Sequence, residues 1–161
     1  MAEQEESIRC GDGETIWYAY LTVDEKSSWW NNQTYVNTLD KPALDRFIHI
    51  THERYYEKVG ADFGKSIPAI FTDEPQFAEM ENLNFAEEKK PVRLPFTDDF
   101  DESFQTAYGA SLLEHLPEVI WEKGKDTAAT FRYQYINHLT DRFVEAYAAN
   151  VGSWCEITTW R

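Results

Sequence analysis

Asp73 and Glu74 stand side by side at the end of Ile67-Pro-Ala-Ile-Phe-Thr-Asp-Glu-Pro75, an apolar run closed by two carboxylates and a proline. Paired carboxylates suit the hydrolysis of glycosidic bonds. One, protonated, gives its proton to the leaving oxygen, and the other acts as nucleophile or base, at a separation of roughly 5 Å for retention or 6.5–9.5 Å for inversion. Glu74 is the candidate acid. An alternating strand places Thr72 and Glu74 on one side and Phe71 and Asp73 on the other, so the adjacent carboxylates diverge and only one enters a pocket. Asp98 and Asp99 are further candidates for the second carboxylate, although the preferred reading of this pair is as the cap of the helix that follows. Asp-Glu-Pro is also acceptable chemistry for a solvated turn, and that reading stays open.

A second constellation is Trp29-Trp-Asn-Asn-Gln33. An indole face covers the C–H face of a pyranose while amides exchange hydrogen bonds with its hydroxyls, so Trp29, Trp30, Asn31 and Asn32 are candidate sugar contacts. The plainer alternative makes one tryptophan core and the other a loop anchor. His49, His52 and Glu53 share a helix at a spacing that can hold a metal, but Tyr56 stands where the zinc-protease pattern needs its second histidine. No metal is expected. His115 and His138 lie in helical surroundings with no neighbouring nucleophile, no Gly-rich phosphate loop exists, and no cofactor is implied. Asn32-Gln-Thr34 matches a glycosylation acceptor but means little without an export signal.

These groups need elements to position them. Thr15 to Val23 is β-branched, aromatic and nearly all apolar, the pattern of a strand buried on both faces of a parallel sheet, and residues 67–75 read the same way. Between them a helix is expected from about Lys41 to Val59, with Asp40 as N-cap, Pro42 in the first turn and Gly60 as the stop. Its covered stripe is Leu44, Phe47, Ile48, Thr51, Tyr55 and Val59. Strand, helix and strand make a βαβ unit. A long polar loop then leads to a helix from Asp99 to Tyr108 ended by Gly109, a capping box in Ser111-Leu-Leu-Glu114, and an amphipathic helix from Asp126 to about Cys155. The last presents Phe131, Tyr135, Leu139, Phe143, Tyr147, Val151 and Trp154 on one face.

Fifteen basic against 29 acidic residues give a net charge of −14, which repels nucleic acid and anionic membranes. No run approaches a membrane span, and the polar start lacks the features of a signal peptide, so a soluble cytoplasmic chain is expected. Cys10 and Cys155 are too few for a disulfide framework. The 161 residues suffice for one domain, 15–161, after a flexible acidic lead-in, 1–14.

Several stretches together resemble one group of proteins: Trp29 to Leu39, Phe47 to Tyr56, Ile70 to Gln76, Leu94 to Asp99, and Tyr108-Gly with Leu112 to Pro117. The group is the large bacterial glycoside hydrolases with a (β/α)8 barrel, similar to α-L-rhamnosidases and more distantly to β-galactosidase-type enzymes. The resemblance implies an α/β fold, a partial TIM-type barrel of about two βα units with parallel strands and long helices. It also implies a carbohydrate substrate, Glu74 as general acid or acid/base, and the Trp-Asn-Asn and Thr-Asp-Asp loops in one pocket. In the wider clan an asparagine usually precedes that glutamate; here Asp73 does. An eight-unit barrel is far longer, so the chain is expected to be a fragment whose partners are the rest of the barrel and accessory sugar-binding domains. The competing expectation is a non-catalytic sugar-binding or interaction module, or an inactive remnant.

Overall fold

Pro42 lacks an N–H at a position where a helix leaves its donors unpaired, and α1 (Lys41–Ile50) starts around it with Asp40 at the N-cap. The Asp40 carboxylate makes no capping bond; its backbone carbonyl accepts from Leu44 N–H. The helix expected to run on to Val59 is interrupted at Thr51, and α2 (His52–Val59) resumes after it. Thr51 Oγ1–H donates to the Phe47 carbonyl at 2.6 Å, the back-bonding by which threonine disturbs a helix interior. A 3-10 turn at Gly60–Asp62 closes the pair. Gly60 is required sterically, because a Cβ there would stand 2.7 Å from the Tyr56 ring.

The computed structural model describes Gly11 and residues 16–81, 83, 88–121 and 127–158. The chain divides into two units, Met1–Thr34 and Tyr35–Arg161. In the second, α3 (Phe100–Tyr108) ends at Gly109, whose φ of 77° is the left-handed C-terminal stop. Ser111 follows: its Oγ accepts from Glu114 N–H and donates to the Asp101 carboxylate, which also accepts from Leu113 N–H. That anchored corner leads through a 3-10 turn at Leu113–His115 into α4 (Leu116–Ile120). A long helical run then comprises α5 (Thr127–Phe143), a π-helical turn (Val144–Ala149) and α6 (Asn150–Ile157).

The π turn explains how an apolar series spaced by four keeps to one side. In a 3.6-residue helix each step of four advances the face by about 40°. The wider turn at Val144–Ala149 takes up the drift, and Tyr135, Leu139 and Trp154 are all buried.

Two cores result. The larger holds Leu39, Phe100, Phe104, Leu112, Val119, Tyr135 and Leu139, with Phe77, Leu94, Phe131 and Phe143 packed against it. Burying each such side chain contributes about 1.5–3 kcal/mol. The smaller joins Ile48 of α1, Phe63 and Trp154 of α6. Tyr135 is fully buried, yet its hydroxyl donates to the Pro95 carbonyl at 2.7 Å, and burial pushes the phenol well above its ordinary range.

The expected α/β architecture is not found. The protein is mostly helical, and its described residues contain no sheet, only isolated bridges joining Ser27 to Gln33 and Phe63 to Ile67. A partial barrel with parallel strands is therefore excluded. Among the described residues neither candidate strand is laddered, Val23 is 82% and Phe71 84% exposed, and Glu74 at φ 40° leaves the extended region altogether. An apolar extended run becomes a buried strand only when neighbours take its backbone hydrogen bonds and cover both faces; here the helices pack on one another instead. Among the described residues no helix is long and apolar enough to cross a membrane.

Candidate functional site

Glu74 is held by its neighbours. Two residues before it, the Thr72 hydroxyl shares a hydrogen bond with the Tyr147 hydroxyl on the π turn. Two residues after it, the Gln76 carbonyl accepts from Thr38 Oγ1–H at 2.7 Å, and Thr38 is buried. Between these anchors Glu74 has a φ of 40°, in the left-handed region that non-glycine residues rarely enter. Proline at position 75 narrows its choices further, since the residue before proline is disfavoured in helical conformation. The carboxylates of Asp73 and Glu74 are both exposed.

The Thr-Asp-Asp loop is tied to the same framework. Asn37 Nδ2–H donates to Thr97 Oγ1 at 2.9 Å, and its Oδ1 accepts from Leu39 N–H. Asp99 occupies the N-cap position of α3, but its side chain does not cap; it pairs with Arg142 Nη2 of α5 at 2.9 Å. The same nitrogen donates to the Leu39 carbonyl at 3.2 Å. Asp98 is exposed. Asn37, Thr38, Leu39, Gln76, Thr97, Asp99 and Arg142 thus meet in one polar knot, and Asp98 stays outside it. Sequence reading missed Arg142 and Thr38 as its members, and Tyr147 as the partner of Thr72, because nothing in linear spacing links positions so far apart.

In the other unit, Trp29, Trp30, Asn31 and Asn32 form a closed turn. Ser27 and Gln33 bridge antiparallel, with Ser27 N–H donating to the Gln33 carbonyl at 3.1 Å. The Ser27 carbonyl accepts from Trp30 and Asn32 N–H, and Ser27 Oγ accepts from Trp29 N–H. Asn31 and Asn32 have φ of 54° and 57°, a conformation asparagine tolerates better than most residues. The turn leaves the Trp29 side chain 87% exposed. Trp29 is thus neither core nor buried anchor.

The histidines are placed differently from expectation. His49 is exposed on α1, whereas His52 lies between Phe47 and Trp154, so the two do not converge. Glu53 accepts the Trp154 indole N–H at 2.6 Å. Among the described residues no group of three or more ligand-type side chains can hold a metal. An open cleft of about 360 Å³ lies between α1–α2 and α6, with Asp45, His49, Glu53 and Glu57 along one wall and Asn150 and Ser153 on the other. The Asp45 carboxyl is held below its ordinary range by hydrogen bonds from Lys41 and Asn150.

His138 does have a serine beside it, contrary to the sequence reading: Ser103 Oγ lies 2.9 Å from Nε2. The pair is not an activated nucleophile. The serine proton is committed to the Phe100 carbonyl at 3.0 Å, so the imidazole donates instead of accepting, and the ring is enclosed by Phe100, Phe104 and Tyr108.

No protein-family model, curated protein or solved structure matches the chain.

Proposed function

We propose that the chain recognises carbohydrate through the turn Ser27–Gln33, as a binding module. The observation that carries this reading is the exposure of the Trp29 indole on a hydrogen-bonded turn whose next residues, Asn31 and Asn32, are exposed amides. A flat apolar face beside fixed donors and acceptors matches the two-sided chemistry of a sugar ring. Holding the turn closed in advance lowers the ordering cost of binding. The test is calorimetric titration with a panel of neutral oligosaccharides, alongside retention on insoluble polysaccharides. Trp29→Ala is expected to weaken binding at least tenfold, about 1.4 kcal/mol, with the helical content of the chain unchanged. Absence of binding across the panel, or equal binding by the variant, rejects the reading.

A second reading, glycosidic-bond hydrolysis with Glu74 as general acid, is favoured by its backbone. A backbone anchored on both sides of a residue in a sparsely populated conformation is a reason to ask what its carboxylate is positioned for. Glu74→Gln keeps the shape and removes the proton. On unactivated glycosides it is expected to lower turnover at least about 100-fold while sparing affinity. Unchanged turnover rejects Glu74; binding without turnover in any form leaves the module.

A further inference from the structure

His138, buried, and His52, half-buried, each sit edge-on to aromatic side chains, His138 beside the larger core and His52 beside the smaller. His138 of α5 is buried and edge-on to Phe100 at 4.9 Å and Phe104 at 5.6 Å, with Tyr108 at 6.0 Å. His52 of α2 is edge-on to Phe47 at 5.4 Å and to Trp154 of α6 at 5.1 Å. Each ring contacts one hydroxyl, His138 Nε2 with Ser103 Oγ at 2.9 Å and His52 Nδ1 with Thr51 Oγ1 at 2.7 Å. In both cases the hydroxyl proton is already given to a carbonyl one turn back, Phe100 for Ser103 and Phe47 for Thr51. The oxygen must then accept, and the ring nitrogen must carry its hydrogen. The structure therefore selects opposite neutral tautomers, Nε2–H in His138 and Nδ1–H in His52.

We propose that these two histidines are acid-release latches, closed when neutral, whose joint protonation loosens the α3–α5 and α2–α6 contacts and opens the helical unit. The surroundings favour the neutral form. Burial depresses the His138 pKa most, the positive Arg142 adds to it, and Asp141, Asp99 and Glu145 oppose it; Tyr108 is the remaining titratable group against the ring. For His52 burial depresses the pKa and Glu53 opposes it; the Cys155 thiol packs against the cluster of Trp154, whose ring His52 meets edge-on. A histidine depressed in the folded state binds its proton more readily unfolded. Its full contribution to stability is thus present above about pH 6.5 and is lost as pH falls from there towards the folded pKa. Between pH 7 and 6 each latch multiplies the unfolding constant by up to about three, and the pair by up to about ten.

The first measurement is the imidazole nitrogen and carbon NMR spectrum of the full chain from pH 8 to 5, assigned with His52→Gln and His138→Gln. The expected result is Nδ1–H for His52, Nε2–H for His138, and titration of both below 6.5. The opposite tautomers, or either ring titrating at or above 6.5, overturns the proposal. The second is urea unfolding at pH 7 and 6 at constant ionic strength. The wild type is expected to lose stability towards pH 6, each single variant less, and the double variant almost none; an equal loss in the double variant overturns it. If a variant does not fold, the wild-type spectra decide.

Discussion

Tyr135 is a large side chain with no exposure, and its one polar atom is satisfied by the carbonyl of Pro95, itself buried. Removing only that oxygen separates packing from hydrogen bonding. Tyr135→Phe leaves the carbonyl unpaired and is expected to cost about 1–2 kcal/mol in urea unfolding, whereas Tyr135→Ala also empties the core and costs about 3–5 kcal/mol. Equal stability of the phenylalanine variant and the wild type would show that the hydroxyl contributes nothing. At this scale the sequence was legible where a residue acts through its own shape. Gly109 and the apolar face from Phe131 to Trp154 are examples. It was silent where a residue acts through a distant partner. Asp99 reads as a cap and is an ion-pair partner of Arg142, and Ser103 and His138 give no joint signal along the chain.

Among the elements, helices were legible and strands were not, for one physical reason. A helix closes its hydrogen bonds within itself, so Asp40-Lys-Pro at one end and Gly109 at another mark real boundaries from local chemistry. A strand is completed by other segments. Residues 16–23 and 67–75 have strand composition, but no described segment supplies a ladder. The α3 boundary offers a clean test. A Cβ at Gly109 meets no atom within 4 Å, so Gly109→Ala is costed by backbone conformation alone, about 1–2 kcal/mol at φ of 77°. Asp101→Ala removes the acceptor for Ser111 and Leu113 together and is expected to cost about 1 kcal/mol. Thermal unfolding followed by circular dichroism checks both. No loss in either would mean that the corner between α3 and α4 is held by packing alone.

Across the whole molecule the dominant fact is charge. With a net −14, the folded chain repels itself, and ion pairs such as Lys41 with Asp45 and Asp99 with Arg142 are partly solvent-screened and contribute modestly. Salt weakens both effects but acts over more pairs in the repulsion. Raising sodium chloride from 20 to 200 mM is expected to raise the melting temperature by roughly 2–4 °C, corresponding to about 1 kcal/mol. A fall would show that the local pairs outweigh the global field. The same charge disfavours nucleic acid as a ligand and leaves a neutral sugar unaffected, so carbohydrate binding is expected to be insensitive to salt over that range.

The π turn at Val144–Ala149 also decides where this chain tolerates a change of length. One extra residue in an α-helix is what opens a turn of that kind, so deleting an exposed residue inside it, such as Ala148, returns the segment to regular winding and leaves everything beyond in its original orientation. Trp154 would still meet Phe63 and Glu53. Deleting Thr140 instead, in the regular part of α5, would swing the rest of the helix by about 100° and carry Trp154 out of its core. The protein thus holds a tolerant register point between its two cores, where one residue can be lost without turning either away from its partners.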